Sequence, residues 1–75
     1  MKQLLEFILR AITPATDIGI EETIEGDHTT LIVKAPQEVM GLIIGKNGKT
    51  IKSIRNLLKV RATLEKRGVS LSIAE

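Results

Sequence analysis

From Pro36 to Gly68 the chain carries helix-favouring sequence, yet Gly45-Lys46-Asn47-Gly48 prevents it from forming one helix. Each glycine in a helix interior costs about 1 kcal/mol relative to alanine, and glycine alone turns the backbone sharply without steric cost. The segment therefore reads as two helices joined by a tight bend. Pro36 suits the opening of the first, with Gln37-Glu38 placing an acid where the helix dipole favours it. That helix must be short. The second runs from about Lys49 to Lys66, with Gly68 as its stop.

The rest of the chain falls into place around this helical pair. Leu5, Ile8, Leu9 and Ile12 repeat at helical spacing, and Leu4, Phe7 and Ala11 widen the apolar face, so Lys2 to Ile12 is predicted to be a helix ended by Thr13-Pro14. From Asp17 to Glu25 the period becomes two, with Ile18, Ile20 and Ile24 on the face to be buried. Glu25-Gly26-Asp27-His28 supplies a turn, and Thr29 to Ala35 is rich in β-branched residues, which makes a hairpin. Val69, Leu71 and Ile73 alternate with Ser70, Ser72 and Ala74 in a last strand. The order α-β-β-α-α-β describes one α+β domain over residues 1–75, a three-stranded sheet packed against helices. With no cysteine there is no disulfide framework to assist so small a core. The N-terminal stretch looks briefly like a signal peptide, but Glu6 and Arg10 interrupt it and no cleavage site follows. A cytoplasmic protein is expected.

Charge is distributed unevenly. Between Val39 and Arg67 stand eight basic residues and the single acid Glu65, a net of +7, whereas the remainder of the chain carries −5. The basic half meets a polyanion and the acidic half keeps the chain soluble. Lys46 and Lys49 lie where the glycine loop opens onto a helix N-terminus, whose amides and dipole attract anions. This combination is a phosphate-binding device. Gly48-Lys49-Thr50 also copies the end of a nucleotide-binding P-loop, but that motif needs glycine where Ile43 stands. A plain interhelical turn would need neither both glycines nor the lysines.

At about 100° per residue the long helix has three faces. Ile51, Ile54, Leu58 and Ala62 form a core stripe. Lys49, Lys52, Arg55, Lys59 and Lys66 fill the neighbouring sector and suit a nucleic-acid backbone. Leu57, Val60 and Leu64 lie nearly opposite the core, as a partner interface or the flank of a wide core. His28 reads as a solvated turn residue, and no nucleophile–base pair or carboxylate cluster stands out, so neither an enzyme nor a metal or cofactor is expected.

The run Ile44-Gly45-x-x-Gly48-x-x-Ile51-x-x-Ile54 resembles the signature of KH domains, whose GXXG loop clamps the backbone of about four nucleotides. The element order is similar to the bacterial, type II arrangement. Length and order together resemble small stand-alone bacterial KH proteins of the KhpA type. The resemblance implies that Gly45, Lys46, Asn47 and Gly48 contact phosphates; the basic sector of the helix adds Lys49, Lys52 and Arg55, with Thr50 between them, to the expected RNA-binding set. It also implies that Ile44, Ile51 and Ile54 are mainly core, and that apolar groups beside the loop support the bases. Such proteins pair with themselves or with another KH-containing protein, which assigns Leu57, Val60 and Leu64 to an interface. Phe7 is the only aromatic residue and sits on the apolar helix, so stacking of bases on rings is not offered and sequence preference should be weak. The expected function is binding of single-stranded RNA in post-transcriptional regulation. The competing reading is a KH fold kept for protein pairing, with RNA contact incidental.

Overall fold

Thr13 is extended (φ −145°, ψ 138°), so helix α1 (Lys2–Ile12) ends where the sequence turns toward Pro14. Pro14 itself lies outside the described residues, which are 1–13 and 17–74 of this computed structural model. Strands β1 (Gly19–Glu25) and β2 (His28–Lys34) follow, then helix α2 (Gln37–Ile44), a single 3₁₀ turn over Lys46–Gly48, helix α3 (Lys49–Leu64) and strand β3 (Gly68–Ala74). The predicted order and the three-stranded sheet packed against helices are both present.

The sheet runs β1-β2-β3. β1 pairs antiparallel with β2, whereas β3 lies parallel to β2, Leu31 opposite Leu71 and Val33 opposite Ile73. Parallel neighbours need a crossover, and α2 and α3 supply it. Thr29, Leu31 and Val33 point into the helical layer and are buried, whereas the alternate residues of β2 are half-buried or exposed. The core joins Leu5 and Leu9 of α1, Leu31 and Val33 of β2, Met40 and Ile43 of α2, Ile51, Ile54 and Leu58 of α3, and Leu71 of β3.

Four details depart from the sequence reading. Ile24 keeps the period of β1 but is exposed, near the end of an edge strand. Phe7 extends the apolar pattern of α1 past the core and out into solvent, 73% exposed. Ile44 is not core: at the end of α2 it is partly exposed, while Ile51 and Ile54 are buried as expected. Helix α3 stops at Leu64, and its left-handed stop is Lys66 (φ 57°), whose amide reaches the Thr63 carbonyl while that of Arg67 reaches Ala62. Lys66 is therefore off the helical basic stripe. Gly68 instead opens β3, where a Cβ would sit 2.7 Å from the His28 Nδ1, and the His28 ring lies within hydrogen-bonding distance of the Ser70 Oγ (2.8 Å).

Candidate nucleic-acid interface

The bend between α2 and α3 is tighter than a glycine-rich turn requires. Three of its four residues have positive φ: Gly45 at 76°, Asn47 at 58° and Gly48 at 74°. The Gly45 amide closes α2 on the Gly41 carbonyl (3.0 Å), and that of Gly48 returns to the Gly45 carbonyl (3.2 Å). Thr50 packs beneath this loop. A Cβ on Gly45 would lie 2.1 Å from the Thr50 Oγ1 and 2.9 Å from its backbone nitrogen, so only glycine fits there. Gly48 has room for a methyl group, its nearest neighbour being the Ile51 Cγ2 at 4.0 Å, and is needed for its left-handed backbone alone.

Gly48 is also the N-cap of α3, and a glycine offers no capping side chain. No acid stands in the first turn. Exposed Lys46, Lys49 and Lys52 crowd the positive end of the helix dipole instead, a placement that disfavours the isolated helix and favours an arriving anion. Lys46 and Asn47 project into solvent, and Thr50 is half-buried.

One groove adjoins the loop and a second lies farther along α3. The first, of about 510 Å³, is lined by Ala35, Gln37, Met40, Gly41 and Ile44 and leads along α2 to the loop. Gly41 lies in regular helix with no atom within 4 Å of where its Cβ would be, so neither backbone strain nor internal packing requires it. The other, about 200 Å³, runs between α3 and the edge strand β3, lined by Arg55, Leu58, Lys59 and Val69 to Leu71. Arg55 is partly committed there, its Nη2 donating to the Leu71 carbonyl at 3.3 Å. Lys52 and Lys59 share that flank of α3 and remain exposed.

Leu57, Val60 and Leu64 are 54%, 61% and 75% exposed, so they do not belong to the monomer core. Beside them Arg61 donates to Glu65 at 2.6 Å, which holds that carboxyl below the usual carboxylate range. Among the described residues no helix is long and apolar enough to cross a membrane, and no acidic, histidine or cysteine cluster could hold a metal. Sequence reasoning missed the Gly41 groove. The signal available was a glycine inside a helical pattern with no turn to serve.

The family profile described as "KhpA/KhpB, KH domain" matches residues 2–73. RNA-binding protein KhpA of Clostridium acetobutylicum is 34% identical over 74 residues, covering 97% of this chain and 99% of the relative. The protein of the same description from Halalkalibacterium halodurans is 33% identical over 76 residues, the full length of both. That of Thermotoga maritima is 45% identical over 60 residues, 77% of this chain and 79% of its own. No solved structure matches the chain. The family is one of binding proteins, not of enzymes, as the lack of a nucleophile–base pair led us to expect. With a profile match over nearly its whole length and full-length relatives, the chain belongs to the KhpA/KhpB family of small stand-alone bacterial KH-domain proteins.

Proposed function

We propose that this protein binds single-stranded RNA, holding the phosphate backbone on the Gly45–Gly48 loop at the α3 N-terminus. The observation that carries the reading is the uncapped, acid-free helix terminus surrounded by exposed Lys46, Lys49 and Lys52. Such a terminus is electrostatically incomplete until an anion occupies it. The curated relatives bear the description RNA-binding protein, which supports a nucleic-acid backbone as that anion. Bases leaving the loop rest against Gly41 and Ile44 in the apolar groove of α2, and Lys52 and Arg55 continue the phosphate track along α3. No ring is available to stack in that groove, so the protein selects by single-strandedness and charge more than by sequence. The setting is the bacterial cytoplasm, and the role post-transcriptional regulation.

Replacing Lys46 and Asn47 together by Asp tests this. Both side chains are exposed, so the fold should survive while two negative charges oppose the phosphate. Electrophoretic mobility shift with a short single-stranded RNA should show binding abolished. A folded double variant that binds normally would remove the loop from consideration. Wild-type affinity should also fall with salt, with a log–log slope of about −2 to −3 for three or four neutralised phosphates.

The exposed stripe of Leu57, Val60 and Leu64 supports a second component of the reading, pairing with another copy or another KH-containing protein. Val60→Asp should weaken association in sedimentation while circular dichroism stays native, since Val60 is exposed in the monomer. An unfolded Val60→Asp variant beside a monomeric wild type would refute pairing.

A further inference from the structure

We infer that the outer edge of β3, with the groove between it and α3, is a docking site for an extended acidic segment of a partner protein, which adds a fourth strand to the sheet. The sheet order leaves β1 and β3 with one free edge each, and the two edges differ in sequence. β1 carries Glu21, Glu22 and Glu25, with Glu21 paired to Lys34 of the neighbouring strand. Charges of this kind keep a sheet edge from joining other strands. β3 reads Gly-Val-Ser-Leu-Ser-Ile-Ala, with neither a charge nor a proline in its seven residues. An edge of that composition is a template for another strand.

Two hydrogen bonds fix which groups of β3 face outward. The Gly68 amide donates inward, to the Asp27 carbonyl just before β2 (2.8 Å), whereas the Leu71 carbonyl accepts from the Arg55 Nη2 (3.3 Å). In an extended strand the N–H and C=O of one residue point the same way, and successive residues alternate. Ser70 and Ser72 therefore continue the ladder to β2, while Val69, Leu71 and Ile73 turn their main-chain groups to the open edge. Arg55 holds one of those carbonyls. Three amides and two carbonyls at alternate residues remain, a pattern that one extended chain satisfies. The carbonyls need donors, which phosphate oxygens are not.

The groove indicates what that chain should carry. It measures about 200 Å³. Buried Leu58 and Leu71 with half-buried Val69 give it an apolar side, and Arg55 and Lys59 give it a cationic one. Exposed Lys52 extends the same cationic flank, and no acid lines the groove. Side chains of an added strand point alternately toward α3 and toward the open face of the sheet. A glutamate facing α3 lays its methylenes against the apolar side and brings its carboxylate to Lys59 and Arg55. The Arg55 guanidinium then exchanges a carbonyl for a charged acceptor, a stronger hydrogen bond. Side chains on the other face lie beside Ser70 and Ser72, where threonine or another β-branched residue suits the strand. The occupant is a segment with an acid at every second position.

The probe is a short fluorescein-labelled peptide of alternating threonine and glutamate, read by fluorescence anisotropy against the full chain. Binding should be saturable, and replacing the glutamates by lysine should lower affinity at least about tenfold. Methylating alternate peptide nitrogens removes main-chain donors without altering charge, and should lower affinity as much in one of the two registers. Lys59→Glu should also lower it at least about tenfold with unchanged circular dichroism, since the position is exposed. Hydrogen exchange at Val69, Leu71 and Ile73 should slow with the peptide, while that of Gly45 to Gly48 should not. Equal binding of both methylated peptides would reduce the contact to ionic adhesion and overturn the added strand. Slowing of the same three amides by a short oligouridylate but not by the peptide would give the groove to RNA. Slowing by protein concentration alone would give the edge to a second copy, and either result overturns the acidic partner.

Discussion

Gly45→Ala separates what the loop needs for its own geometry from what it offers a ligand. At φ 76° and ψ 173° Gly45 occupies a backbone region that is essentially reserved for glycine, and an alanine held there costs about 1–3 kcal/mol. The added Cβ also meets Thr50 at three atoms, Oγ1 at 2.1 Å, Cβ at 2.6 Å and the backbone nitrogen at 2.9 Å. Rotating Thr50 moves only the hydroxyl. Its Cβ and nitrogen belong to the first turn of α3, so the helix start must shift, at a further ~1–3 kcal/mol for an overpacked site. The sum is about 2–6 kcal/mol. A 75-residue domain has roughly 4–11 kcal/mol of stability, so the variant should be strongly weakened but still measurable.

Thermal unfolding followed by circular dichroism reads this directly. At about 4–8 °C per kcal/mol for a small domain, the midpoint should drop by at least about 8 °C. Gly48→Ala is the control: its φ is also positive, but the nearest atom is 4.0 Å away, so it should lose only the left-handed penalty of about 1–2 kcal/mol. Equal losses for the two variants would refute the packing argument and leave backbone conformation as the whole effect. Thr50→Gly combined with Gly45→Ala should recover part of the loss, since only the backbone contact then remains.

Gly41→Ala should act in the opposite sense. With nothing within 4 Å it should stabilise α2 by about 1 kcal/mol, yet weaken RNA binding if bases lie against Gly41, and unchanged affinity in a filter-binding assay would take the bases out of that groove. Lys52→Ala should reduce the salt slope of RNA affinity by about 0.7, one phosphate contact. Arg55→Ala should change the slope less and instead lower the unfolding midpoint, because the lost bond to the Leu71 carbonyl contributes about 0.5–1.5 kcal/mol; a slope change as large as that of Lys52→Ala with no stability loss would show Arg55 acting as a free phosphate ligand.

Periodicity made α1, α3, β1 and β3 legible, because apolar spacing records which face is buried whether the residue is Leu9 or Leu71, while α2 was legible from Pro36 and the glycines that bound it and β2 from its β-branched residues. The loop was legible for the same local reason, since two glycines inside helical sequence have few uses. Other features are set by tertiary contacts that leave no local mark. Lys66 stops α3 because Arg67 reaches back to Ala62, and Gly68, which looked like the stop, is small for the sake of the His28 ring. Phe7 shares the period of α1 yet lies beyond the reach of the core, since an apolar arc read from sequence does not say how much of it the neighbouring helix covers.

The arrangement of charge on α3 bears on how its two proposed roles combine. Arg55, Lys52 and Lys59 lie on the flank toward β3, while exposed Leu57 and Leu64 lie on the flank away from it. Neither surface needs residues of the other, so a second copy can dock without covering the loop or the basic flank. Two copies joined through the α3 stripe would then present two loops to one RNA. Binding at the second loop becomes intramolecular, and affinity for an RNA long enough to span both should exceed that for a short one without any new contact. The steep dependence on RNA length should vanish in Val60→Asp, whereas affinity for a short RNA should not change. A length dependence that survives in the monomeric variant would mean that the gain arises within a single domain, and that pairing and RNA binding are unconnected.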